Sequence, residues 1–135
     1  MSISLKKVGT APHHELMIAE KEDVLIVVPE EGFKDIAETS RATVAALRNY
    51  AQKLGRKCGL VIIANNLLSQ DAESRRVYAE QVTPDLFFGA TLVVSSPLAR
   101  AIGSVAIHLT AMPIPFSLSE SIESGIAWIE SNRKS

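Results

Sequence analysis

The sequence predicts a single α/β domain with a mostly parallel sheet, and three observations support this. Short apolar runs alternate along the chain with longer segments of helical period. A polar stretch of three residues separates the first two apolar runs, as in a β-hairpin. The chain has 135 residues, of which 47% are hydrophobic and 21% charged, a globular composition at the length of one domain. We expect about five strands, about four helices and one N-terminal hairpin.

The N-terminal part predicts an arm followed by the hairpin. Residues 1–13 are polar and mixed, which predicts a loose arm, so that the folded domain spans residues 14–135. The first strand is expected at 14–20, and the second begins at Val24 after a polar turn. Val24–Val28 are all apolar and mostly β-branched, typical of a strand covered on both faces.

The middle of the chain predicts a helix and then a strand–helix unit. A helix over 35–54 is indicated by apolar or small residues that recur every three or four positions, and Gly55 ends it as a left-handed cap. A strand follows at about 59–64 and a second helix at about 70–82. The apolar or small positions of the first helix are Ile36, Ser40, Val44, Leu47, Ala51 and Leu54.

The last part of the chain predicts two further strand–helix units. A strand at 89–96 precedes a third helix over 97–112, in which Pro97 fits the first turn. A short strand, IPFSL, then leads to a final helix that begins at Ser119 or Ser121. Together these units predict parallel strands joined by helical crossovers.

Charge and cysteine content exclude several classes of protein. A net charge of −1 offers no basic face for nucleic acid or for an anionic membrane. No apolar run approaches the roughly 20 residues that span a bilayer, so membrane insertion is not expected. Cys58 is the single cysteine, which rules out an intramolecular disulfide. We expect a cytoplasmic protein.

Two stretches of the second half carry a family resemblance. They are ATLVVSSPLARAIGSVAIHL and PIPFSLSESIESGIAWIE. With the order of elements, they resemble the STAS domain, the fold of the bacterial anti-sigma factor antagonists, and most closely the small bacterial STAS/SEC14-like proteins. The resemblance runs from about His14 to Glu130. It implies a regulatory or protein-interaction module rather than an enzyme.

The chain departs from this family at its phosphorylation site. In the anti-sigma antagonists the third strand ends in Asp-x-Ser, and the serine is phosphorylated at the start of the next helix. Asn65 stands at the aspartate position of that motif and Leu67 at the serine position. Ser69, two residues further on, is the nearest substitute and is our candidate for phosphorylation.

The loop after the third predicted strand is the first candidate site. The asparagine pair Asn65–Asn66 and Ser69 offer hydrogen-bond donors near a helix N-terminus, where anions bind. Arg75 and Arg76 follow in the same helix. The alternative is that the asparagines make a turn, that Ser69 or Asp71 caps the helix, and that both arginines face water.

The serine–proline turn after the fourth predicted strand is the second candidate. Because the carboxyl ends of parallel strands meet at one edge of a sheet, Ser95, Ser96 and Arg100 are expected beside the asparagine pair. The two loops would then form one anion or ligand site. The alternative is a helix cap followed by a solvated arginine.

The apolar stripe of the third helix is the third candidate. A helix that is apolar around much of its circumference is normally buried on more than one side. The favoured interpretation is a homodimer contact; the others are a site for an apolar ligand and plain core. The stripe consists of Leu98, Ile102, Val105 and Leu109, which form the expected contact face, and Met112 continues it to the predicted end of the helix.

Catalytic and metal-binding sets receive little support. His13–His14 lie in or beside the expected arm, and His108 is distant in sequence, so no metal site is predicted. Lys57 and Arg56 favour a lowered pKa of Cys58, but no histidine partner is evident. We therefore expect no enzyme activity and no cofactor.

The sequence thus predicts a non-enzymatic regulatory or interaction module that forms a homodimer and has, in addition, a regulatory protein partner. The alternative is a carrier or sensor of an apolar or acyl ligand, held against the third helix with its anionic head group near Ser95–Ser96.

Overall fold

The computed structural model describes residues 3–133, which form an α/β fold and confirm the predicted class. Four helices are present in this range: α1 (Ala37–Leu54), α2 (Ala72–Gln81), α3 (Pro97–Leu109) and α4 (Ile122–Asn132). The strands of the same range are β1 (Lys6–Ala11), β2 (His14–Ala19), β3 (Val24–Pro29), β4 (Phe33–Asp35), β5 (Cys58–Ile63), β6 (Leu67–Gln70), β7 (Phe87–Val93) and β8 (Phe116–Ser119).

The main sheet has six strands in the order β1-β2-β3-β5-β7-β8. The predicted hairpin is β2–β3, in which His14 pairs with Pro29 and Ala19 with Val24. From β3 to β8 the neighbouring strands are parallel, as expected for strands joined by helical crossovers. The carboxyl ends of β5 and β7 therefore lie side by side, where the two candidate loops begin.

The first strand is a departure from the prediction. The loose arm expected over residues 1–13 is not found at residues 6–11, which form β1 and pair with β2 at the edge of the sheet. Val8 packs against the hydrophobic core, while two exposed lysines precede it, a charge pattern that protects an edge strand from pairing with other chains. Residues 1 and 2 of the expected arm lie outside the described residues.

Helices cover the two faces of the sheet unequally. α1, α2 and α3 pack on one face, and α4 packs on the other. The strands supply alternate residues to the two cores, because successive side chains of a strand point to opposite faces. Leu25 and Val27 of β3 face the three-helix side, whereas Val24 and Ile26 face α4.

The ends of the helices agree closely with the predicted signals. Gly55 ends α1 in the left-handed conformation, with φ of 73°. Asp71 caps α2, Ser96 caps α3 and Ser121 caps α4, each through a side chain that accepts from a backbone N–H. α3 ends at Leu109, three residues earlier than predicted.

A second, small sheet is formed by β4, which precedes α1, and β6, which lies between β5 and α2. The chain leaves β5 through a 3₁₀ turn over Ala64–Asn66 and then forms β6, which pairs in parallel with β4. Both strands are too short to show a period in the sequence, so this segment was expected to be a loop. None of the helices within residues 3–133 combines the length and apolar character needed to cross a bilayer.

Candidate functional site

The loops after β5 and β7 meet, as predicted. The backbone N–H of Ser95 donates to Oδ1 of Asn65, with an N···O distance of 2.7 Å. This contact follows from the parallel pairing of β5 with β7, which brings the carboxyl ends of the two strands together.

The second asparagine, Asn66, forms hydrogen bonds within the chain. Nδ2 of Asn66 donates to the carbonyl of Pro29 at 2.7 Å, and the Asn66 carbonyl accepts from the N–H of Gly32 at 2.8 Å. The asparagine pair thus joins the loops after β3, β5 and β7. Nδ2 of Asn66, a donor that an incoming anion would need, is therefore already engaged within the chain.

Residues of the serine–proline turn also have partners within the chain. Oγ of Ser96 accepts from the N–H of Ala99 at 3.1 Å and caps α3. Arg100 is exposed and forms an ion pair with Glu120 at 3.6 Å. Ser95 is exposed and is held through its backbone. The structure therefore brings Asn65 and Ser95 together, and gives Ser96 and Arg100 partners within the chain.

Ser69 lies apart from the start of α2. It is an exposed residue of β6, and Asp71, not Ser69, caps the helix by accepting from the N–H of Ser74 at 2.8 Å. Leu67, at the serine position of the antagonist motif, is buried with 4% of its surface exposed. Phosphorylation of Ser69 stays a prediction.

The apolar stripe of α3 faces outward. Leu98 is 47% exposed, Val105 42% and Leu109 71%, whereas Ile102 is half-buried against the core. Plain core, one of the three interpretations, is therefore wrong for Leu98, Val105 and Leu109.

Small residues form the buried face of the same helix. They are Ala99, Gly103 and Ala106. A Cβ atom at Gly103 would lie 3.0 Å from side-chain carbons of Leu118 and Val94, so the helix approaches the sheet as closely as glycine permits. α3 thus buries Ala99, Gly103 and Ala106 and exposes three of its large apolar side chains.

Other exposed apolar side chains lie on elements beside α3. Of the six large ones found among the described residues, three belong to the α3 stripe; Leu68 is on β6 and Leu118 on β8, which both contact α3. The sixth, Ile36, precedes α1. Exposed apolar surface is thus concentrated at and around one helix, which is typical of an interaction site.

A buried polar network escaped the sequence analysis. Asp35 is 3% exposed; it accepts from Oγ of Ser40 at 2.9 Å and from Nε2 of Gln70 at 3.2 Å. Oγ of Ser40 is 2.5 Å from Oγ of Ser74, which joins α1 to α2. The only sequence signal was Ser40 on the inward stripe of α1. The network satisfies buried polar groups and fastens both helices to the small sheet.

The three histidine residues considered for chemistry do not form a catalytic or metal-binding set in the described part of the chain. Nδ1 of His108 lies 2.7 Å from the carbonyl of Ser104, and the ring is exposed, without a carboxylate partner in the described part of the chain. His14 is buried, and His13 lies 3.1 Å from Glu30 in the β1–β2 turn. Residues 3–133 contain no group of three or more acidic, cysteine or histidine side chains arranged to hold a metal ion.

Cys58 does not have the lowered pKa that its basic neighbours favoured. Burial and, to a smaller extent, the carboxylate of Asp23 together raise the pKa of the Cys58 thiol to about 11. Arg56 acts in the opposite direction and is outweighed. The thiol stays protonated near neutral pH, which makes it a poor nucleophile.

One arginine also differs from the expectation that both face water. Arg76 is exposed and pairs with Glu73 at 3.0 Å, but Arg75 is half-buried and turns toward α3. It lines a cleft between α2 and α3 that no sequence signal indicated.

Comparison with known proteins adds no family assignment. No protein-family model matches the chain, and no curated protein sequence matches it either.

Proposed function

We propose that this chain is a non-enzymatic, STAS-like interaction module that binds a second copy of itself through the exposed stripe of α3. The observation that carries the proposal is the reversed burial of α3. A monomer gains nothing in water from exposing three large apolar side chains of one helix while burying alanine and glycine. A partner that covers the stripe accounts for them.

The STAS-like part of the proposal is supported by the resemblance of the chain from His14 to Glu130. The hairpin, the following helix and the three strand–helix units occur in the expected order. The buried Leu67 in place of a phosphorylated serine favours a module that interacts without that switch. For catalysis the histidine and cysteine candidates offer little, since His108 is solvent-exposed and Cys58 is a protonated thiol.

The charges around the stripe favour a neutral partner. The ionisable residues of α3 are Arg100 and His108, and Arg100 is already paired with Glu120 in the same chain. On the neighbouring helix Arg76 is paired with Glu73. Apart from the exposed imidazole of His108, the half-buried Arg75, which lines a groove beside Leu109, is the one cation of α2 and α3 without a carboxylate partner among the described residues. A strongly acidic peptide or an anionic membrane would therefore find a single such charge rather than a basic patch.

The spacing of the stripe favours self-association. Its residues are separated by four, three and four positions, a pattern that reads the same in both directions. A two-fold axis between Gly103 and Ser104 would place Leu98 against the partner's Leu109 and Ile102 against the partner's Val105. An isologous contact requires this kind of self-complementarity.

The expected dimer is weak. α3 has 13 residues and is therefore roughly 20 Å long, so one helix pair covers less than the ~800 Å² per partner of a standard interface. Leu68 on β6 can enlarge the contact. We expect a dissociation constant on the order of micromolar.

Sedimentation velocity over a concentration series tests the proposal. Wild type is expected to pass from monomer to dimer, and Val105→Lys to weaken the dimer at least about 30-fold, because it buries an unpaired charge twice in a symmetric contact. Ile36→Lys is the matched control, since Ile36 is 44% exposed against 42% for Val105 and lies outside the stripe. A wild-type monomer at all concentrations, or dimerisation of Val105→Lys equal to that of wild type, would overturn the proposal.

A further inference from the structure

A cleft between α2 and the C-terminal half of α3 leads to the central strands. Its inner part is a cavity of about 20 Å³, lined mostly by apolar side chains that include Leu92, Ala106 and Phe116. Its outer part is an open groove of about 250 Å³. Arg75 and Thr110 line both parts, so they stand where the apolar interior meets the open groove.

Arg75 carries a charge without a counter-ion. Its Nη1 donates to the carbonyl of Gln70 at 3.1 Å, and it forms no ion pair with an acidic side chain of residues 3–133. A guanidinium has five N–H donors, and a partly desolvated one is normally matched by a carboxylate. The neighbouring Arg76, by contrast, forms an ion pair with Glu73.

Thr110 gives a second, independent indication. Its Oγ1 is buried and has no hydrogen-bond partner in the described part of the chain. Unpaired buried hydroxyl groups are uncommon and call for a partner such as a water or a ligand. The inner cavity that Thr110 lines has room for about one water molecule. Oγ1 itself has almost no accessible surface, so a ligand reaches it only after a small movement of the cleft wall.

We propose that the cleft binds a small amphipathic carboxylate. The carboxylate would accept two parallel hydrogen bonds from the guanidinium of Arg75, the geometry that arginine favours, and a third from the Thr110 hydroxyl. The apolar part would point inward toward Ala106 and Phe116. This site is separate from the predicted loop of Asn65 and Ser95, but its outer groove shares Leu109 with the stripe of α3.

The walls of the cleft limit the size and polarity of the ligand. The inner cavity of about 20 Å³ is too small for an acyl chain as it stands. Met112, which lines it just beyond the end of α3, has an unbranched and adaptable side chain. A short acyl or aryl group can enter by displacing Met112. Inorganic phosphate would meet an apolar wall and leave it unfilled, so the site favours a carboxylate that carries an apolar group.

Titration of the full chain with hexanoate, followed by the NMR shifts of backbone amides, tests the site. Hexanoate is expected to saturate shifts of residues in α2 and around Thr110. Hexanol and inorganic phosphate are expected to bind at least about tenfold more weakly, because hexanol lacks the carboxylate and phosphate lacks the apolar group. Shifts that do not saturate with hexanoate, or phosphate binding as tight as hexanoate binding, would overturn the proposal.

Three variants test the residues. Arg75→Gln is expected to weaken hexanoate binding about 10- to 100-fold, and Thr110→Val, which keeps the shape of threonine, about 2- to 10-fold. Arg76→Gln is the matched control, because Arg76 borders the outer groove but is held by Glu73, and binding should be unchanged. Equal binding by wild type and Thr110→Val, or a loss in Arg76→Gln as large as that in Arg75→Gln, would contradict the assignment. Repeating the titration on Val105→Lys shows whether binding persists without dimer formation.

Discussion

α1 and α3 pack on the same face of the main sheet but use their apolar residues in opposite ways. α1 buries Val44 and Leu47 almost completely and turns polar residues outward. α3 buries Ala99, Gly103 and Ala106 and turns large apolar residues outward. The difference teaches that a helical stripe of large apolar residues marks a surface that is to be covered, but not whether the sheet or another molecule covers it.

Close approach to the sheet explains how α3 is held without large buried side chains of its own. Gly103 lets the helix lie against Leu118 and Val94, so strand residues fill the space that helix residues fill under α1. The exposed apolar side chains of α3 are therefore free to contact a partner. Three substitutions, in α1 and α3, test this difference through their effect on the free energy of unfolding.

The largest effect is expected for Leu47→Ala in α1. Leu47 is fully buried, and its truncation leaves a cavity in the main core. We expect the free energy of unfolding to fall by about 2–5 kcal/mol, measured by urea denaturation. A loss below about 1 kcal/mol would mean that α1 is not the anchor that its burial indicates.

A smaller loss is expected for Gly103→Val in α3. The new Cβ would lie 3.0 Å from Leu118 and Val94, and the added methyl groups need further space. We expect a destabilisation of about 1–3 kcal/mol in the same assay. Ser104→Val, on the exposed side of the next position, controls for the helix propensity of valine. Equal stability of the two variants would show that α3 can move away from the sheet without penalty.

The smallest effect is expected for Leu109→Ala, the same chemical change as in α1. Leu109 is 71% exposed, so at concentrations where the chain is monomeric we expect a change in unfolding free energy within about 0.5 kcal/mol. The variant should nevertheless weaken self-association in sedimentation velocity, because Leu109 lies at one end of the stripe. A large loss of monomer stability would remove the contrast between the helices.

Local signals predicted much of the fold. The hairpin β2–β3 followed from two apolar runs and a polar turn, and the end of α1 followed from Gly55. Ser96 and Ser121 were among the residues proposed as caps. These features depend on residues close together in sequence, so the chain carries them without reference to distant partners.

Features that depend on distant pairing were missed. The short β4 becomes a strand by pairing with β6, which lies beyond α1 and β5 in the chain. β1 was missed for another reason: it pairs with the adjacent β2 at the sheet edge, but it is mostly polar and lacks the apolar alternation of a strand. Ser40 of α1 donates to Asp35 of β4 and lies within hydrogen-bond distance of Ser74 of α2, so the buried polar network joins three elements of the chain. Tertiary context overrides weak local preference in each case.

The candidate site, too, has features that the sequence predicted and features that only the packed structure shows. The meeting of Asn65 with Ser95 was predictable, since parallel strands bring their carboxyl ends to one edge. The inward turn of Arg75 was not, because a helix of ten residues presents both Arg75 and Arg76 near its middle and the period alone does not say which one faces α3. The hydroxyl of Thr110, buried and without a hydrogen-bond partner in the described part of the chain, leaves no trace in the sequence.

The amino-acid sequence therefore determined the α/β class, the order of the elements and most helix ends, because period, caps and turns act over a few residues. The packed structure decided which face of α3 meets the sheet, which arginine of α2 enters the cleft, and where the polar network is buried. Those outcomes are set by the fit of surfaces that are far apart in sequence. A helix with two apolar faces, one small and one large, turns toward the sheet the face that fits closest.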